Sequence, residues 1–114
     1  MLEDNTQPPG ATFTRRDTRS YGVRGAMTFE SVTDLWRQSV EIFPDEAAFQ
    51  IDLTQVTHTD SAGLALLVEW LREGARRGAR IELLNPPAQM LVLAGAANVE
   101  HVLTGERGPQ NRES

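Results

Sequence analysis

Cysteine is absent from the chain, which excludes disulfides, thiolate metal sites and thiol catalysis. Histidine is nearly absent: His58 and His101 are the two, too few to build a metal site without well-placed carboxylates, so no metal is expected. No apolar run approaches the roughly 18 residues needed to cross a bilayer. The opening Met1-Leu2-Glu3-Asp4-Asn5-Thr6 lacks the basic start and apolar stretch of a signal peptide. A cytoplasmic protein with no direct membrane insertion is the expectation. Basic excess is missing too, since 11 basic residues face 16 acidic ones for a net charge of −5. Such a chain is a poor partner for nucleic acid or anionic lipid. Its local exceptions, Arg15-Arg16 and the group Arg72, Arg76, Arg77 and Arg80, read as solvated faces. Neither a P-loop nor a G-x-G-x-x-G occurs, and no cofactor is expected.

What remains is a chain of 114 residues, 39% apolar and 24% charged, enough for one domain with one core. Residues 1–10 are polar and close on Pro8-Pro9-Gly10, and residues 104–114 are similar. Both read as disordered tails that cannot bury enough surface to order themselves, leaving a folded body over 11–103. Within it, Ala11 to Arg19 and Tyr21 to Ala26 suit an opening pair of strands. Helical spacing over Met27 to Phe43 puts Val32, Leu35, Trp36, Ser39 and Phe43 on one buried face, with Thr28 or Ser31 as cap and Pro44 as stop. A strand follows over Ala47 to Leu53, continuing through Val56. The second helix runs from the Asp60-Ser61-Ala62-Gly63 turn to about Arg77, with Gly78 as its stop. Its core stripe is read as Leu64, Leu67, Val68, Leu71 and Ala75. Arg80 to Leu84 is a strand, Asn85-Pro86-Pro87 a turn into a third helix up to Ala97, and Val99 to Leu103 a closing segment. Alternating strands and helices after a hairpin imply an α/β fold, a mixed and mostly parallel sheet flanked by three to four helices.

The informative stretch is Ile51-Asp52-Leu53-Thr54-Gln55-Val56-Thr57-His58-Thr59-Asp60-Ser61-Ala62-Gly63-Leu64, a buried strand leading through a polar turn into a long helix. Asp60 is typed for the N-cap, accepting amide hydrogens of the first turn. Gly63 costs roughly 1 kcal/mol of helix propensity against alanine, which a close backbone approach would explain. The turn has two readings. In one it is a capped helix start that needs Asp60 alone. In the other Ser61, whose hydroxyl sits where free amides favour an anion, is a phosphorylation switch. A Ser61–His58–Asp60 relay is unfavourable, because three residues within four positions cannot easily align a nucleophile, a base and a carboxylate. The G-x-S-x-G elbow also fails at Thr59. An enzyme is therefore not expected. Leu66 and Trp70 fall off the assigned stripe, and either cover a helix neighbour or anchor a docking surface. The third helix, Met90-Leu91-Val92-Leu93-Ala94, is apolar almost all round and suggests a covered outer face.

Asp-Leu-Thr-x-Val-x-x-x-Asp-Ser-Ala-Gly-Leu followed by an amphipathic helix resembles the signature of STAS domains, the fold of anti-anti-sigma factors and of sulfate-transporter tails. The likeness runs from Tyr21 to Leu103. It is greatest to the Mla-type STAS subunits of phospholipid-transport ABC complexes, carried by Leu35-Trp36, Ile51-Asp52-Leu53, Asp60 to Leu67 and Leu93-Ala94. Ser61 stands where those subunits commonly have threonine, and Ala62 where they have glycine. The resemblance implies a non-catalytic cytoplasmic subunit, peripheral to the inner membrane, bound to the transporter's ATPase and, in the full complex, to its permease. Its partner-binding residues would be Thr59, Asp60, Ser61, Ala62, Gly63, Leu64, Leu66 and Trp70. The alternative is an anti-anti-sigma-type signalling module switched by phosphorylation of Ser61.

Overall fold

Alternation of side chains in and out of the core builds the first half of the molecule. The computed structural model describes residues 10–104. It opens with β1 (Ala11–Asp17) and β2 (Ser20–Met27), an antiparallel hairpin. Then follow α1 (Val32–Val40), β3 (Ala48–Thr59), α2 (Ser61–Arg76), β4 (Arg80–Leu84), α3 (Ala88–Ala96) and α4 (Glu100–Thr104). The sheet order is β1-β2-β3-β4, with β2, β3 and β4 parallel. A helix fills each parallel crossover because parallel strands cannot be joined by a tight turn. The expected mixed, mostly parallel sheet is thus present. The tails expected at 1–10 and 104–114 lie outside the described residues except for Gly10 and Thr104, and Thr104 ends α4.

On the inner sheet face Phe13, Tyr21, Val23, Phe49, Ile51 and Leu53 are buried. Pairing places Phe13 beside Val23 and Tyr21 beside Ile51. Five rings, Phe13, Tyr21, Phe43, Phe49 and Trp70, pack with centroids 4.9 to 6.3 Å apart. Each such buried side chain stabilises the fold by roughly 1.5–3 kcal/mol relative to exposure. The outer face is polar: Arg16 Nη1 donates to Asp52 Oδ2 at 2.8 Å and Gln50 Nε2 to Glu82 Oε1 at 3.3 Å.

Asp52 and Thr54 build a bulge. Between the pairs Gly22↔Asp52 and Arg24↔Gln55, β3 carries one residue more than β2. The Thr54 amide and hydroxyl both donate to Asp52 Oδ1, at 3.0 and 2.6 Å, and Asn85 Nδ2 adds a third bond at 3.1 Å. Partial burial pushes the Asp52 carboxyl up, but the bonds from Thr54, Arg16 and Asn85 outweigh it and hold it well below the usual carboxylate range. At the β1 edge, the Phe13 N–H donates to Gln38 Oε1 at 2.9 Å, and Gln38 Nε2 donates to the Ala11 carbonyl at 3.5 Å.

The first helix is shorter than its spacing suggests, 32–40 rather than 27–43. Met27 completes β2 with no exposed surface, and residues 28–31 form a turn. There Ser31 Oγ accepts from the Thr28 N–H at 3.0 Å and donates to the Ala26 carbonyl at 2.6 Å. Ser31 occupies the N-cap position without capping the helix through its side chain. At the far end of α2, Arg77 departs from the expected solvated face. It donates to the Phe43 and Val40 carbonyls at 2.8 and 2.9 Å and to Glu73 Oε2 at 2.7 Å, with its guanidinium over the Phe43 ring. Gly78 follows with φ +73°, the left-handed conformation that ends a helix.

Candidate docking surface

Where β3 meets α2, the polar groups of Thr59 and Asp60 are committed to hydrogen bonds. Asp60 caps α2, its Oδ1 accepting the N–H groups of Ala62 and Gly63 at 2.9 and 3.3 Å. Its Oδ2 accepts the Phe29 N–H at 3.1 Å, across 31 residues of sequence. Burial pushes this carboxyl up, but the amides of Phe29, Gly63 and Ala62, with the nearby His58, outweigh that and hold it below the usual range. Thr59 is buried and its Oγ1 donates to the Met27 carbonyl at 2.9 Å. Gly63 lies against this same pair: a Cβ there would run into Thr59 Oγ1 and the Met27 carbonyl. That is the close approach its position in a helix calls for. The Thr59 N–H is taken by Gln89 Oε1 of α3 at 3.1 Å. Thr59, Asp60 and Gly63 therefore shape the turn from within.

Ser61 differs from its neighbours. It is exposed, and among the described residues its hydroxyl has no hydrogen-bond partner. No side-chain bond links it to His58 or Asp60, whose carboxylate is committed to backbone amides. The described residues contain no group of three or more His, Cys, Asp or Glu able to hold a metal. No described helix is long and apolar enough to cross a membrane.

The core face of α2 is turned from the expected one. Gly63, Leu64, Leu66, Leu67, Trp70, Glu73 and Gly74 are its buried residues, whereas Val68 and Leu71 are half-buried and Ala75 is exposed. Trp70, a candidate docking anchor from its place off the assigned stripe, has no exposed surface. It packs on Phe13 and Phe43 and donates through Nε1 to Ser39 Oγ at 2.7 Å. That placement removes it from any docking surface; truncating so buried a tryptophan typically costs roughly 3–5 kcal/mol. Leu66 and Leu64 are also buried, at 5% and 7% exposure, and contribute only edges to the surface.

Those edges line two apolar grooves that flank the exposed ridge of α2. Between α1 and α2, Val32, Thr33, Trp36, Ala62, Ala65 and Leu66 line about 320 Å³. Between α2 and α3, Ser61, Leu64, Ala65, Val68, Leu93 and Val99 line about 530 Å³. Ala65 and Glu69 belong to both. Trp36, assigned to the core by spacing, is half-buried and forms one groove wall. α3 buries Met90 and Ala94 and leaves Leu91 and Val92 exposed. Spacing missed Phe29, Ala65 and Glu69. Phe29 is 79% exposed in the β2–α1 turn beside Asp60. A lone aromatic within Thr28-Phe29-Glu30-Ser31 was the available signal.

A family model described as the MlaB STAS domain matches residues 19–104, from the β1–β2 turn to the end of α4. The intermembrane phospholipid transport system binding protein MlaB of Haemophilus influenzae is 30% identical, over 61% of this chain and 70% of that protein. The solved structure of SLC26A9 superposes with a TM-score of 0.60 at 13% identity. That match covers 70% of this chain but 16% of the other, and it is a likeness of fold alone. On the family match and the relative together, the chain belongs to the MlaB STAS domain family.

Proposed function

We propose that this chain is the STAS subunit of a phospholipid-transport ABC complex. In this reading it docks on the cytoplasmic ATPase subunit through the exposed ridge of α2 and its two grooves, and does no chemistry of its own. The carrying observation is the surface itself: apolar grooves on both sides of Ala65 and Glu69, one of them also lined by Ser61, beside a turn whose Thr59 hydroxyl and Asp60 carboxylate are already committed. Surfaces of this kind suit a lasting contact, because an apolar centre is desolvated once and a polar rim fixes orientation. The kinship with a protein named for phospholipid transport supports the choice of partner. Thr59, Asp60 and Gly63 contribute by holding the turn, and Ser61, Ala62 and the edges of Leu64 and Leu66 by contact.

Co-expression with the ATPase and permease of the host's phospholipid-transport complex tests the reading. The wild-type chain is expected to co-purify with them, and Ala65→Arg, a change at an exposed position, to be lost from the complex with its own melting temperature kept. Equal recovery of Ala65→Arg would count against this surface, and no recovery of the wild type against the function.

A second reading rests on the exposed, unbonded Ser61 hydroxyl. The same surface is then a signalling interface, and a phosphate of about −1.5 to −2 charge on Ser61 releases the partner. Mass spectrometry of the chain purified from its host separates the two. Phosphate on Ser61 together with a soluble kinase partner favours the switch, and unmodified Ser61 in a transporter complex favours the subunit.

A further inference from the structure

The β2–α1 turn is built rigidly around a side chain that the fold does not use. Its backbone is tied at four points: Phe29 N–H to Asp60 Oδ2, Thr28 N–H to Ser31 Oγ, Ser31 N–H to the Thr28 carbonyl, and Asp60 N–H to the Met27 carbonyl. Yet Phe29, at 79% exposure, points its ring into solvent and is the largest of the exposed apolar side chains. A turn held this way fixes where the ring leaves the backbone. Asp60 joins this ring to the docking ridge, since one carboxylate holds the Phe29 amide with one oxygen and the first turn of α2 with the other. Charge gives the second observation. Among the described residues Glu30 is exposed and makes no ion pair, and the Asp60 carboxylate accepts hydrogen bonds from backbone amides alone and makes no salt bridge, with His58 the basic group near it. An exposed ring that neighbours Glu30 in the chain and is held through its amide by Asp60 complements an apolar pocket edged with Arg or Lys.

We propose that Phe29 is the aromatic anchor of the docking surface, that Asp60 is its positioning residue, and that the ring enters a basic-rimmed apolar pocket on the ATPase subunit. The proposal rests on the docking reading above and adds which residue carries the contact. Pre-organisation explains why one carboxylate serves both elements: an anchor fixed before binding loses little freedom on association. Aromatic residues at the centre of an interface carry a disproportionate share of affinity.

The test is titration of the full chain with the purified ATPase subunit of the host's phospholipid-transport complex. Phe29→Ala is expected to lower affinity by about 30-fold or more, as a hot spot does, with the melting temperature unchanged. Phe29→Trp restores most of the loss. Asp60→Asn separates the two duties of the carboxylate: its oxygen still caps α2, as asparagine does well, while its NH₂ faces the Phe29 N–H and cannot accept from it. This variant is expected to stay folded, to exchange the Phe29 amide faster, and to bind about 5- to 10-fold more weakly, a loss typical of one interface hydrogen bond. Added to Phe29→Ala, it should cost clearly less than it does alone, since only its charge is then lost, whereas a role independent of the ring would cost the same in both backgrounds. Wild-type affinity should fall as salt rises, and less steeply in Glu30→Gln. Absence of wild-type binding overturns docking and anchor together. Binding by the wild type and Phe29→Ala alike overturns the anchor and leaves docking standing. Self-association that is lost in Phe29→Ala overturns the ATPase as occupant in favour of a second copy of this chain.

Discussion

The two ends of α2 solve the same problem in opposite ways. At the N-terminus a single carboxylate, Asp60, is met only by backbone amides, so its charge persists and the surface beside it stays open. At the C-terminus Glu73 is met by Arg76 and Arg77, and Arg77 reaches on to the carbonyls of Val40 and Phe43, so the carboxylate is paired with cations and the helix end is tied to its neighbours. Each end also carries a glycine in close contact. Gly63 faces the Met27 carbonyl and Thr59 Oγ1, while Gly74 faces Cδ1 and Cγ1 of Ile81. The first contact is with groups locked in hydrogen bonds, and the second is with a β-branched side chain of β4. One end presents a surface and the other fastens the helix to its neighbours.

The largest effect should come from exchanging the glycines. Gly63→Ala is expected to destabilise by about 1–3 kcal/mol, the usual cost of forcing a methyl into a packed site. Gly74→Ala should cost about 1 kcal/mol, less than Gly63→Ala, since a side chain rather than a hydrogen-bonded backbone carbonyl must shift and alanine favours the helix. Urea denaturation of both variants decides it, and equal losses would break the contrast.

Acid sharpens it at the other end. The Glu73 carboxyl is held below its ordinary value by hydrogen bonds from Arg76 and then Arg77. A depressed folded pKa adds stability above the unfolded value and loses it as pH falls through the folded one. Glu73→Gln should therefore be less stable than wild type at pH 7, and the gap should shrink once pH drops below about 4, the ordinary carboxylate range. A gap that is constant with pH would mean that packing, rather than charge, holds this end.

Smallest of all should be Ser61→Ala, within about 0.5 kcal/mol of wild type, as for other exposed positions without partners. Thermal melts check it, and a larger change would mean that Ser61 belongs to the turn it only borders.

Much of the architecture was legible in the sequence. The strand at Arg80–Leu84 and the extent of α2 match the expectation closely, because alternation, a capping aspartate and a terminal glycine each mark a boundary by local chemistry. The orientation of α2 was not legible. Leu64, Leu67, Val68, Leu71 and Ala75 share a spacing that Gly63, Leu66, Leu67, Trp70 and Gly74 repeat one place earlier. Glycine adds nothing to an apolar pattern, so the stripe carrying two glycines looked weaker than it is. Here the helix is seated where its backbone can come closest, and Trp70 fills the space between the two contacts. Phe29 was hidden for a different reason: its exposure is set by a hydrogen bond to a residue 31 positions away.

Gln38 has a consequence for how this protein behaves when crowded. Its amide accepts from the Phe13 N–H and donates toward the Ala11 carbonyl, two of the outward groups that a newly arriving strand would use, so a side chain counterfeits the start of a neighbouring strand. Open edges of this kind are templates for fibril growth and strand exchange. With the start of that edge occupied by its own first helix, β1 offers an arriving copy a shorter run of backbone to pair with.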